Sequence, residues 1–286
     1  MAPAIAAAPV VLAISAGGLL AGLPHGAIDH ALTGRLLRLP LWQATAAYAA
    51  VAVLAYVALL AGGGLALAVV VLVSVAHFGW GESQTQRALT GWIPGRIVSM
   101  AMTIAGTGAL LLPLARSGDQ FRGIATAVSP WLADLIVATP LRVAVASVWT
   151  LAALITVTAA QRAHQRQIAV DVALVALLGA TAPPMMAFAI WFGGWHAIRH
   201  MARLLTVEPR CAALLAAGQP RRAAAALVRQ ATWPSLTAAT FLAVLIIGTV
   251  AAPDLDTALA QTLRVLLALT VPHMLIVLCL DRRPTR

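Results

Sequence analysis

Lysine is absent from the chain, and charge of either sign is scarce: 10% of the 286 residues are charged, where soluble domains carry about a quarter. With 61% hydrophobic residues and a mean hydropathy of +0.91, the apolar surface is too large for one soluble core. The chain reads as an all-α, polytopic integral membrane protein. Nine acidic residues leave a formal net charge of +10, but arginine alone carries the excess, mostly in short loops or near the ends of apolar runs. Arginine so placed is a topology signal and a lipid-headgroup contact, so the lipid bilayer is the expected partner and nucleic acid is not. Cysteine is nearly missing too. Cys211 and Cys279 lie far apart and imply neither a disulfide framework nor a metal knuckle. Repeats, low-complexity tails and soluble inserts are lacking, and residues 1–286 read as a single transmembrane domain. The first apolar run has no basic stretch before it and leads into Pro24-His25-Gly26, so it reads as a retained helix rather than a cleaved signal.

Runs able to cross about 30 Å of hydrocarbon, roughly 17 to 25 residues of helix, fall at 3–23, 41–61, 64–81, 97–115, 141–160, 167–181, 184–204, 234–252 and 257–280. The sixth is short and carries Asp171, so the expectation is a helical bundle of eight or nine transmembrane helices. Gly62-Gly63-Gly64 and Ala182-Pro183-Pro184 make tight connections. The longer links, 116–140 and 205–233, contain Trp131 and the Arg221-Arg222…Arg229 stretch and read as interfacial helices. With the N-terminus outside, 15 of the 19 arginines fall on the inner side, leaving Arg116, Arg122, Arg142 and Arg264 outside. That bias favours an N-out, C-in, multi-pass protein of the inner (plasma) membrane.

Polar side chains in such segments are costly, which singles out the seven histidines. In Trp191-Phe-Gly-Gly-Trp-His-Ala-Ile-Arg-His200, His196 and His200 stand one helical turn apart, where two imidazoles can share a metal ion. His25 and His77 also sit where apolar runs finish. In the N-out arrangement, helices one, three and seven all run inward, giving His25, His77, His196 and His200 a common depth on the cytoplasmic side. His273 lies somewhat deeper, and His164, among Gln and Arg, reads as a solvated loop residue. Asp29, one turn from His25 and next to His30, can hold the second nitrogen of an imidazole, or pair with Arg35 or Arg199 as a helix-end charge. Glu82, five residues from His77, falls off its face and reads as a supporting group or gate. Phe78 and Trp80 offer flat apolar walls, or serve as interface aromatics. Four neutral histidines suit a borderline divalent metal, Fe(II) or Zn(II), and exclude an oxygen cage for calcium or magnesium. His-Glu-x-x-His is absent, and a desaturase- or hydroxylase-like membrane iron enzyme uses more histidines than this chain has. By residues alone, a transporter or a non-catalytic metal- or pigment-binding membrane protein stays open beside an oxygenase, although charge-poor helices speak against an ion pathway.

Four pieces occur in order: Pro24-His-Gly-Ala-Ile-Asp-His30, His77-Phe-Gly-Trp-Gly-Glu82, Trp195-His-Ala-Ile-Arg-His200 and Thr270-Val-Pro-His-Met274. Together, in an all-helical membrane chain, they resemble the Brp/Blh family of bacterial and archaeal β-carotene 15,15′-dioxygenases over nearly the whole length. The resemblance implies an Fe(2+) enzyme that uses O2 to cleave the central double bond of β-carotene, or a related carotenoid, into two all-trans-retinal molecules. It places His25, His77, His196 and His200 at the family's iron-binding positions, while Asp29, His30, Glu82 and His273 are read from the residues as groups that support them. Phe78, Trp80, Trp191, Phe192 and Trp195 are the aromatic candidates for contact with the carotenoid. A retinal-binding rhodopsin as acceptor of the product is left open.

Overall fold

Long runs of alanine, leucine and valine with few breakers favour helix, and the computed structural model, which describes residues 2–281, contains no strand among them. The order is α1 Ala2–Ala27, α2 Asp29–Leu37, α3 Leu41–Thr90, α4 Arg96–Ala105, α5 Gly108–Ser117, α6 Arg122–Val128, α7 Pro130–Val137, α8 Thr139–Arg162, α9 Arg166–Thr181, α10 Pro184–Trp191, α11 Ala197–Val207, α12 Pro209–Ala216, α13 Pro220–Val250 and α14 Leu255–Asp281. A 3-10 turn covers Gly118–Phe121, and a π turn covers Phe192–His196. Among the described residues four helices are long and apolar enough to cross a membrane: α3, α8, α13 and, from Asp256, α14. Counting α4 and α5, bent by 59°, as one broken span makes five.

Several boundaries differ from the sequence reading, each for a local reason. The 41–61 and 64–81 runs are two helices joined by a kink at Gly63, which takes φ 50° and ψ −132°, so the tight connection expected at Gly62-Gly63-Gly64 is present within the 50 residues of α3. An unbroken helix of that length would measure about 75 Å, more than twice the ~30 Å core. The break therefore falls on the residue without a Cβ. The helix also continues past His77 to Thr90, because Gln84, Gln86 and Arg87 are good helix formers although they end the apolar run. The 97–115 run is broken at Gly106 and Thr107, and the Trp149 indole donates to the Ala105 carbonyl at 3.2 Å, satisfying an oxygen that the bend frees. The link 205–233 is not wholly interfacial: its second half is the start of α13, continuous into the apolar span. Arg282, Arg283 and Arg286, counted in the arginine bias, lie outside the described residues.

The described chain forms two units. One contains the chain up to Gly22 with Val75–Arg122 and Asp134–Glu208. Within it α4 and α5 pack on α8, α5 packs on α9, and α10 closes over α5 and α9. Arg142 donates to the Ala115 and Arg116 carbonyls and Arg116 to the Ala182 carbonyl, capping helix C-termini with fixed positive charge. The other unit contains Leu23–Ser74, Gly123–Ala133 and the chain from Pro209 onward. Here α12 packs on α13, and α14 packs on α13 and α2. Tyr48 donates to the Leu269 carbonyl at 3.2 Å, and the Thr249 and Thr262 hydroxyls meet at 2.6 Å.

Candidate functional site

In the first unit, the Pro183-Pro184 pair starts α10, and Gly193 makes the next feature possible. A Cβ at Gly193 would stand 1.9 Å from the Gly18 carbonyl oxygen, so only glycine lets this turn press onto α1. The chain widens there into the π turn, which ends on His196, and α11 carries His200 one turn further. Both rings are buried and face each other nearly in parallel, with centroids 6.4 Å apart and planes 15° apart. The His77 ring, from α3, is 6.1 Å from His196. Gly81, one turn beyond His77, leaves room for His196: an added Cβ would be 3.3 Å from its Cε1. Three of the four histidines expected to bind iron are thus brought together by α3, α10 and α11.

Glu82 governs the electrostatics of this cluster. Glu82 is 4% exposed, and its carboxylate accepts from the Trp195 indole at 3.0 Å and from Arg199 at 2.8 Å and stands 3.4 Å from His196 Nδ1. Arg199 also donates to Asp171 at 2.7 Å, stacks over Trp195 at 4.0 Å, and shares Asp171 with the Gln86 amide. Two carboxylates against one guanidinium leave one formal negative charge over, next to His196. Asp171, the acid of the short sixth run, and Arg199, a candidate partner for Asp29 by sequence, are instead joined with Glu82 in one ion network. The sequence reading missed this role for Arg199. Its signal was an arginine lying between the two histidines of one face and one turn after Trp195, at cation-π spacing.

The aromatic candidates divide. Phe78 and Trp191, 1% exposed, belong to a core cluster with Ala109 and Val175. Phe78 meets His196 edge-on at 4.8 Å, and Trp191 stacks on it at 5.5 Å. Phe192 and Trp195 pack half-buried against the same cluster. Trp80 is 40% exposed and carries Arg87 over its ring at 5.8 Å.

In the second unit, α1 ends two residues after His25, and Asp29 opens α2. Asp29 is 1% exposed, and its Oδ2 lies 2.7 Å from His273 Nδ1. The carboxylate expected beside His25 thus meets the imidazole of α14, while the His25 and His273 rings pack edge to face at 4.9 Å. The Tyr48 hydroxyl also faces Asp29. His30 lies in α2, but its side chain is outside the described residues. His164 takes a left-handed turn conformation, φ 57°, between α8 and α9, in keeping with a loop residue. Among the described residues, no group of three or more His, Cys, Asp or Glu side chains is gathered tightly enough to be a ready-made metal cage.

Comparison with known proteins supplies the context. The profile of the family described as beta-carotene 15,15′-dioxygenase matches residues 16–281. The protein named probable beta-carotene 15,15′-dioxygenase Blh of Halobacterium salinarum is 27% identical over 307 aligned positions, covering 99% of this chain and 86% of that protein. No solved structure matches. A profile match across nearly the whole helical chain, including every histidine-bearing segment, shows that the chain belongs to the β-carotene 15,15′-dioxygenase family of oxidoreductases.

Proposed function

We propose that this protein is an Fe(II)-dependent dioxygenase that cleaves the central 15,15′ double bond of β-carotene with O2, giving two molecules of all-trans-retinal. The family match over residues 16–281 carries the reading. The balance is simple: one C=C and one O–O bond break, two C=O bonds form, and no further reductant or oxidant is consumed. His25, His77, His196 and His200 are proposed as the iron ligands. The donor chemistry fits: the buried imidazoles of His25, His196 and His200 and the half-buried one of His77 suit a borderline divalent cation, with a carboxylate beside His196. Iron, when bound, would supply the redox chemistry that lets O2 react with a closed-shell polyene.

The chain's own residues have separable roles. Glu82, next to Nδ1 of His196, favours the proton on that nitrogen and leaves Nε2 as the donor. Arg199 and Asp171 hold Glu82 in place. Asp29 fixes His273 in the same way through its Nδ1. Phe78 and Trp191 wall His196 with apolar rings and exclude water from it. A polyene dissolved in the bilayer would enter between helices without crossing water, which suits a family whose substrate is as apolar as the lipid. We further propose nine spans, with α9 as a short sixth crossing, in N-out, C-in orientation in the inner membrane, and a retinal-binding rhodopsin as one acceptor of the product.

The test is expression in carotene-producing cells followed by pigment extraction. Loss of carotene with stoichiometric retinal supports central cleavage; unequal apocarotenoid fragments would refute it, and unchanged carotene alongside membrane-inserted protein would refute the activity. Metal analysis of active protein should find about one iron per chain, the number that one four-histidine site would hold.

A further inference from the structure

We propose that α12 and α13 build a binding site for the phosphodiester headgroup of an acidic phospholipid. A cavity of about 450 Å³ lies between them, lined by Arg210, Ala213 and Leu214 of α12 and Arg222 and Arg229 of α13. The spacing explains the shared hollow. Positions 210, 213 and 214 fall on one face of α12, and 222 and 229, two turns apart, on one face of α13. Between those two arginines the same face carries Ala226, buried, as Ala223 and Leu227 are, where α12 packs on α13. Gly218, at φ 69°, lets the chain reverse, and Cys211 Sγ lies 3.5 Å from the Ala223 carbonyl oxygen across the seam.

Three exposed arginines thus line one hollow with their apolar stems and carry their charges at its rim. Among the described residues none of them pairs with a carboxylate: Arg222 donates to the Gln219 amide oxygen at 3.0 Å, and no acid lines the cavity. Like charges gathered around a concavity repel one another, and an anion placed there removes that repulsion. Guanidinium groups match the paired oxygens of a phosphate in bidentate geometry. Depth decides between a lipid and a soluble ion. α13 is about 46 Å long at ~1.5 Å per residue, against ~30 Å of hydrocarbon. Its first turns, with Arg222 and Arg229, therefore precede the apolar stretch, and Trp233, 77% exposed, marks the transition at headgroup level. The apolar floor of Ala213 and Leu214 suits the glycerol side of a phospholipid better than a fully hydrated inorganic phosphate.

The test uses the full-length protein in neutral detergent, titrated with short-chain phosphatidylglycerol, with phosphatidylcholine, and with inorganic phosphate, and reads thermal stability together with lipid retained in native mass spectra. Phosphatidylglycerol should bind saturably, at one molecule per chain, and phosphatidylcholine should not. Arg222→Gln with Arg229→Gln should weaken binding about tenfold or more, and Ala213→Leu should do likewise by filling the hollow at unchanged charge. Arg221→Gln, an exposed neighbour that does not line the cavity, should change it less than about twofold. Equal losses for Arg221→Gln and Arg222→Gln, or full binding by Ala213→Leu, would overturn the site in favour of general surface charge. Inorganic phosphate binding as tightly as the lipid would overturn the lipid assignment.

Discussion

Glu82 and Asp29 both face an imidazole, at 3.4 Å from His196 and at 2.7 Å from His273, and both are buried, yet they are held by different chemistry. Glu82 takes its short bonds from Arg199 and Trp195 and stands off from its histidine. Asp29 gives its short contact to the histidine itself. An arginine stays charged whatever faces it, whereas a histidine facing a neutral group can stand as the neutral imidazole. The first arrangement is therefore a fixed frame beside three candidate ligands, and the second is an adjustable pair around one supporting ring. Neither difference shows in the spacing of the motifs, where Asp29 looks like a companion of His25 and Glu82 merely falls off the face of His77.

The largest effect should separate ligands from supports. His196→Ala and His77→Ala are expected to abolish both bound iron and retinal while the protein stays in the membrane. His273→Ala should lose about 10 to 100-fold in activity or metal affinity, the usual cost of a group that acts through a ligand. Equal iron loss in His273→Ala and His196→Ala would collapse the distinction and make His273 a ligand.

Next come the two acids. Glu82→Gln leaves Arg199 matched by Asp171 alone and removes the surplus negative charge beside His196, and weakening the charge-assisted bonds from Arg199 and Trp195 costs about 1.5 to 3 kcal/mol. Asp29→Asn leaves an imidazole and the Tyr48 hydroxyl, groups that can both stand neutral, and should fold close to normally. Its defect should appear in activity, about 10 to 100-fold, and be partly restored by added Fe(II). Thermal unfolding of the two variants, with and without added iron, measures both halves. A larger stability loss in Asp29→Asn than in Glu82→Gln would reverse the comparison.

A smaller effect probes the space rather than the charge around His196. Gly81→Ala places a methyl 3.3 Å from His196 Cε1, so the ring must give by a few tenths of an ångström. Iron affinity should fall by less than in His273→Ala, with folding unchanged. Unaltered affinity would show that the position of this ring is not held tightly by α3.

Much of this was legible in the sequence. The helical class followed from 61% apolar residues and 10% charged ones, and most segment limits followed from Gly and Pro. His196 and His200 share a face because four residues make about one turn. What spacing does not carry is partner choice across the chain. Asp29 reaches a histidine 244 positions away, and Arg199 joins acids 117 and 28 positions away. Arginine counting also treats every arginine as a water-facing charge. Of those set outside by the bias, Arg116 and Arg142 cap carbonyls, Arg122 pairs with Asp134 at 3.5 Å, and Arg264 lies buried within α14.

The smallest expected effect supplies the surface reference for both buried acids. Asp254 precedes α14, and its carboxylate accepts from the Thr257 hydroxyl and from the backbone N–H groups of Asp256 and Thr257. Those bonds, the Thr257 hydroxyl first, hold its carboxyl below the ordinary carboxylate range. A carboxylate whose folded value is depressed contributes stability at pH above its unfolded value, and the contribution is lost as pH falls through the folded value. The group is fully exposed, so the effect is confined to the start of the helix. The protection of the amides of Asp256, Thr257 and Ala258, taken relative to the intrinsic exchange rate at each pH, should fall on acidification in the native chain and be nearly flat with pH in Asp254→Asn, while retinal formation is the same in both. His273 lies on the same helix, 19 residues beyond Asp254. A loss of activity in Asp254→Asn would therefore mean that α14 transmits the order of its first turn to the Asp29 pair, and the supporting ring would then owe its place to the helix start as well as to its carboxylate.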